Sequence, residues 1–246
     1  MDGNELEKQV KDILQKDGWQ VSTGAYYKDS STKKPREKDI IATFPQFNNE
    51  EILSYNVRLF IECKCLPETT EIYSENINTS EIENTVLVYN IPFADISEIE
   101  RNRQTHFYEY AEIFGQKDKG DFLYPAINQN LQSFDAFRKN NPERGLYYLI
   151  VVYDGELISM DKKGNRKSCN NALVKIETLD NVFNLPHKKC FIELVSVGQL
   201  ENLLKKIRED IGKINSSAGF YYRMEKNKID ENRRKTRDEK ISDYGL

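Results

Sequence analysis

The sequence predicts a mixed α/β fold, a central β-sheet flanked by helices, and three observations carry that expectation. The chain opens on an amphipathic helix, with Leu6, Val10, Ile13 and Leu14 at helical spacing in "NELEKQVKDILQKDGWQV" and Gly18 as its stop signal. Three β-like stretches follow directly. Further along, the apolar "GLYYLIVVYDGELISM" stands between two more helical patterns.

In chain order, "WQVSTGAYY" reads as a first strand, "KDSSTKKPREK" as a polar loop, "DIIATF" as a second strand and "VRLFIECKC" as a third. Together they suggest a meander packed beneath the first helix. From Leu66 to Glu100 the composition changes: eight acidic residues and no Lys or Arg. This stretch reads as an insertion, with "NTVLVYNI" an added strand or hairpin arm. "RQTHFYEYAEIFG" is read as helical. "YPAINQNLQSFDAFRKN" is a stronger helix, with Ile127, Leu131, Phe134 and Phe137 on one face and Pro125 in its first turn. In the β segment after it, Asp154-Gly155 marks a hairpin turn. "KKCFIELVSV" is another strand, and "GQLENLLKKIREDIGKI" a helix with Leu200, Leu203, Leu204, Ile207 and Ile211 periodic. The expected division is one domain over 1–215, carrying the acidic insertion at about 66–100, then a mixed-charge helix or tail over 216–246.

Composition narrows the function classes. Of 246 residues, 38% are apolar and 31% charged, which describes a polar chain able to bury a core. No apolar run reaches the length of a membrane span. "MDGNELEKQV" lacks the basic-then-apolar layout of a signal peptide, so the expectation is a cytoplasmic protein with reduced thiols and no membrane partner. Cys63, Cys65, Cys169 and Cys190 form no CxxC pair and have no histidines at zinc-site spacing. A net charge of -4 argues against a protein that wraps nucleic acid, but not against an enzyme that meets phosphates in a local cleft.

The chemistry concentrates in "LFIECKC". Alternation along a strand sends Leu59, Ile61, Cys63 and Cys65 to one face and Phe60, Glu62 and Lys64 to the other. Burying either charge unpaired is expensive. Two other [DE]-x-K triplets, at Asp161 and Asp238, lie in polar stretches; only the one at Glu62 closes an apolar strand. The strand before it opens with Asp39. Adjacent strands can thus deliver Asp39 and Glu62 to one place, a pair of hard oxygen ligands that suits Mg²⁺, with Mn²⁺ as a substitute. The plainer explanation is an ion pair at a sheet edge, worth little.

A helix with a Glu, then an Asp at a strand start, then E-x-K ending the next strand, resembles the PD-(D/E)xK nuclease superfamily of restriction-endonuclease-like folds. The matching pieces are "ELEKQVKDILQKDGWQV", "REKDIIATF" and "LFIECKC", over about the first 65 residues. Glu7, Leu14 and Gly18 fit the spacing of its Mrr-type opening, and Lys38 stands where the Pro of "PD" would be. The resemblance implies a Mg²⁺-dependent DNA endonuclease of restriction or defence type. In it Asp39, Glu62 and the Cys63 carbonyl hold the metal, Lys64 orients or deprotonates the attacking water, and Glu7 assists from the helix. RNA as substrate, regulation by a ligand, and a non-catalytic nucleic-acid-binding module on the same fold are the alternatives.

Around this centre, Lys28, Lys33, Lys34, Arg36 and Lys38 read as a basic loop that tracks a phosphate backbone, or as a solvated turn. Gln129 is a candidate contact from the helix that follows, with a solvated helix face as the alternative. His106 reads as a surface or partly buried side chain and the cysteines as core packing. A two-fold dimer is the default for cutting duplex DNA. The acidic insertion has three candidate uses: mimicry of DNA, gating of the cleft, or capture of a protein partner.

Overall fold

The computed structural model describes residues 2–28, 33–44, 55–66, 69–74, 87–89, 110–112, 123–141, 144–177 and 189–243. Among them, helix α1 (Gly3–Lys16) is followed by strands β1 (Gln20–Lys28), β2 (Pro35–Phe44) and β3 (Asn56–Cys65). Short strands β4 (Thr70–Ser74), β5 (Leu87–Tyr89) and β6 (Tyr110–Glu112) lead to helix α2 (Leu123–Asn140). Then come β7 (Gly145–Asp154), β8 (Leu157–Met160), β9 (Arg166–Ser168), β10 (Asn171–Glu177) and β11 (Lys189–Ser196), and last α3 (Leu200–Asp243). The strands form one mixed sheet in the order β1-β2-β3-β7-β11-β10-β6-β4-β8-β9, with β5 joined to β7.

Helix α1 starts where its sequence says it should. The Asp2 carboxylate accepts from the Glu5 amide and the Glu5 side chain accepts from the Asp2 amide, a reciprocal capping box. It ends at Gly18, whose φ of +87° only glycine adopts without strain. Leu6, Val10 and Leu14 then face Leu59 and Ile61 of β3, and α3 adds Leu200, Leu203, Leu204, Ile207, Ile211 and Ile214 to the same core. The Arg208 guanidinium of α3 holds the Asp17 carboxylate at 2.8 Å, fixing the two helices together at the C-terminal end of α1.

Helix α2 covers the other face. Phe134 packs edge-on against Phe60 at 5.3 Å between ring centroids, in a core that includes Ile127, Leu131, Tyr147 and Leu149. Asn130, fully buried, donates to both the Phe60 and Ile150 carbonyls, at 3.0 and 2.7 Å. It pins α2 over the seam between β3 and β7. β7 is buried along its length up to Tyr153, as a parallel central strand covered on both faces must be. The arrangement is three layers: α1 with α3, the sheet, and α2.

Several expectations are corrected. β1 runs on to Lys28 and β2 starts at Pro35, so part of the expected polar loop is strand. Asp154-Gly155 does not join a hairpin, because β8 pairs with β4 and β9 and not with β7. Gly155, at φ +128°, is needed instead for close approach: a Cβ there would lie 2.8 Å from that of Leu66. The described part of "RQTHFYEYAEIFG" is strand β6, paired with β10 and β4. The described parts of the acidic stretch supply β4 and β5 to the main sheet. Its remainder, with His106, lies outside the described residues. α3 runs without a break from Leu200 to Asp243, and no Pro interrupts it, so the mixed-charge stretch after Ser216 is helical as far as Asp243.

Core position should dominate the response to truncation. Leu204→Ala, at a fully buried site, is expected to cost about 2–5 kcal/mol in urea unfolding. Met224→Ala, at a site 46% exposed, should stay within about 0.5 kcal/mol of wild type.

Candidate functional site

The site forms where β2 and β3 part. Their paired register runs from Phe44↔Val57 to Ile40↔Ile61 and goes no further. Beyond that point β2 stays with β1, through Ala25↔Lys38 to Lys28↔Pro35, while β3 stays with β7 through Cys65↔Asp154. The sheet opens into a fork, with Lys38 and Asp39 on one branch and Glu62, Cys63 and Lys64 on the other. Forking leaves backbone groups without strand partners, and such groups must find others. Asp39 supplies one: its Oδ2 accepts from the Cys63 amide at 2.8 Å, bridging the gap.

Glu62 is 3% exposed and Lys38 1%. The Lys38 amine donates to Glu62 Oε1 at 2.7 Å. Burial disfavours the charge on both partners, pulling the lysine below its ordinary range and pushing the glutamate up to about 7. Their mutual attraction opposes burial in each case. The Asp39 charge raises Glu62 further. On the other side of the fork Glu7, half-buried on α1, has its carboxyl raised by burial and then by Asp39 and Glu37. Asp39 therefore sits between two carboxylates that both respond to its charge.

Lys38 was expected in a solvated basic loop and is instead the buried partner of Glu62, because β2 reaches back past it and β1 covers it. Lys64, the lysine of the E-x-K motif, is half-buried and makes no ion pair among the described residues. The cysteines behave as expected: Cys63 and Cys65 pack against the α1 core as free thiols. Gln129 does reach the fork region, donating to the Glu37 carbonyl at 2.9 Å, while its own carbonyl accepts from the Tyr27 hydroxyl at 3.3 Å. It thereby ties α2 to β1 and β2. Lys33, Lys34 and Arg36 are exposed, next to the same branch. Asn130 is a residue that sequence reasoning passed over, and Lys38 one to which it gave a different role. The signal for Lys38 was its place immediately before Asp39 on a strand.

Among the described residues, no three His, Cys, Asp or Glu side chains are grouped as a ready-made cage for a metal ion. A hard divalent cation of the Mg²⁺ type needs less, since it keeps waters and takes one or two carboxylates. The donor chemistry at the fork fits it: Asp39 and Glu62 are adjacent carboxylates, and the Asp39 charge raises the cost of charging Glu62. Lys38 attracts both, with its hydrogen bond given to Glu62.

The chain was compared with protein-family models, with curated proteins and with solved structures, and it matches none of them.

The ion pair makes a prediction with a definite sign. Glu62 titrates at about 7 in the folded protein against an ordinary 4.5, so between those values the folded state holds a proton that the unfolded chain has released. Across that window Glu62 makes stability fall as pH rises. Removing its cation by Lys38→Met deepens the fall and extends it to higher pH. Urea unfolding of Lys38→Met should show a loss of about 3–5 kcal/mol at pH 8 and a smaller one at pH 5, with Glu62→Leu added to Lys38→Met restoring most of it. A loss independent of pH would show that the pair is not what holds the fork.

Proposed function

We propose that this protein is a metal-dependent nuclease that hydrolyses phosphodiester bonds in DNA, on a core of restriction-endonuclease type. The observation that carries the reading is the meeting of Asp39 and Glu62 across a fork in the sheet, with the Cys63 backbone between them. Two coupled carboxylates at a strand split are costly to maintain, and a cation with a phosphate would complete them. The helix–meander order that puts Glu7 beside Asp39 supports the same reading.

In this scheme Asp39 and Glu62, with the Cys63 carbonyl, would hold Mg²⁺ or Mn²⁺. The ion, when bound, neutralises charge developing on the scissile phosphate and lowers the pKa of a water. Lys64 is the amine with no partner among the described residues, so it can donate to the attacking water or to a phosphate oxygen. Lys38 acts as a positioning residue, keeping the Glu62 carboxylate in one orientation. Glu7, with its raised carboxyl, can accept a proton near Asp39. Gln129 fixes α2 against the β2 branch, and Lys33, Lys34 and Arg36 can meet the backbone phosphates on that side. Lys38 cannot meet solvent phosphates, since it is buried.

Incubation of the protein with plasmid, linear and single-stranded DNA, and with RNA, in Mg²⁺, Mn²⁺ or EDTA, tests the scheme. Metal-dependent cutting is expected, reduced about 10²–10³-fold in Asp39→Ala and in Lys64→Ala. With the wild type, the Mg²⁺ concentration needed for half the maximal rate should fall as pH rises toward about 7, because the ion must displace the proton that metal-free Glu62 retains below that pH. Cutting that persists in EDTA, or that survives both substitutions, would remove the fork from the chemistry. Binding of nucleic acid without any cutting would instead indicate a module that only binds.

A further inference from the structure

Next to the fork lies a half-open cavity of about 620 Å³, between the β1–β2 branch and the C-terminal half of α2. This falls in the size range of pockets that hold one drug-sized ligand. Lys38 forms part of its wall, so the same side chain that grips Glu62 borders the cavity. The lining also includes Tyr26, Lys28 and Lys33 from the β1–β2 branch. Tyr26 is 73% exposed. Lone exposed tyrosines are ordinary, but this one flanks a cavity and is followed by cations. The acid in the lining, Asp135, is already held by Lys139 at 2.7 Å, so it does not oppose an anion with an uncompensated charge.

An aromatic face, lysines beside it and a volume for one ligand suit a group that is part flat ring and part phosphate. We infer that the cavity receives one unstacked nucleotide of a single-stranded polynucleotide, its base against Tyr26 and its phosphate toward Lys28 and Lys33. A paired base cannot enter a space of this size without leaving its stack, and the cost of extrusion is least in a strand already single. Stacking on an aromatic side chain is tolerant of base identity and contributes most of the sequence-independent affinity in single-strand grooves. Lys38 stands between the cavity and Glu62, so a strand seated there lies beside the fork, with Lys38 as the wall that separates the two. This deepens the nuclease reading and rests on it for what happens to the strand; the seating itself is independent of cutting.

The test is fluorescence anisotropy with the full chain in EDTA, using labelled single-stranded DNA, single-stranded RNA and a blunt duplex. Single strands should bind more tightly than the duplex, and the DNA and RNA arms identify which polymer is preferred. Tyr26→Ala should weaken single-strand binding about tenfold or more, whereas Tyr26→Phe keeps it and Tyr73→Ala, an exposed tyrosine on β4, leaves it unchanged. Lys28→Ala should weaken binding and flatten its salt dependence. Equal affinity for duplex and single strand, or no effect of Tyr26→Ala at an unchanged melting temperature, overturns the inference. If binding follows the expected pattern but Mg²⁺ brings no cutting, the nuclease reading falls and the cavity stands. If the protein cuts duplex DNA and Tyr26→Ala changes neither binding nor cutting, the cavity falls and the nuclease reading stands.

Discussion

The proposed site depends on one local choice of backbone pairing: β2 leaves β3 short of Asp39 and stays with β1. A continued ladder would have put Lys38 and Asp39 in line with Cys63 and Glu62, as ordinary cross-strand neighbours. The split instead opens a gap, and the gap is held by two side-chain contacts rather than by strand hydrogen bonds. Asp39 reaches the Cys63 amide and Lys38 reaches Glu62. Both are charge-assisted, which makes them stronger than the neutral bonds they replace, and neither would be affordable in isolation in so dry a place.

The surrounding layers serve that fork. α1 and α3 build an apolar core on one face, and their mutual clamp through Arg208 and Asp17 fixes the end of α1. Glu7 projects from that helix toward Asp39. On the other face Asn130 anchors α2 to β3 and β7, while Gln129 on the same helix reaches the β2 branch through the Glu37 carbonyl. Consecutive residues of one helix thus grip both sides of the split. The cavity with Tyr26 and Lys38 in its lining lies between the paired β1 and β2 and the C-terminal half of α2.

Electrostatically the site is frustrated. Glu7 and Glu62 are both raised by Asp39, and the buried cation Lys38 gives its hydrogen bond to Glu62 while also feeling the Asp39 charge. Frustration of this kind is common at functional sites and costly elsewhere, because structural ion pairs tend to balance their charges. A divalent cation would relieve it, which supports the proposal of a reaction centre there.

The sequence by itself determined the local elements and the facing of their side chains. The period of α1, its Asp2 cap and Gly18 stop, the alternation of Leu59 to Cys65, and the unbroken apolar run of β7 are all short-range properties, set by neighbours along the chain. It also brought Asp39 and Glu62 under suspicion, since charges closing an apolar strand are conspicuous. Tertiary structure alone decided the rest. That Lys38, and not Lys64, pairs with Glu62 depends on where two strands stop pairing. That Asp154-Gly155 is a crossing point beside Leu66 and not a hairpin depends on β8 finding β4. Both outcomes are set by partners distant in sequence, and no local pattern encodes which distant backbone a strand will choose.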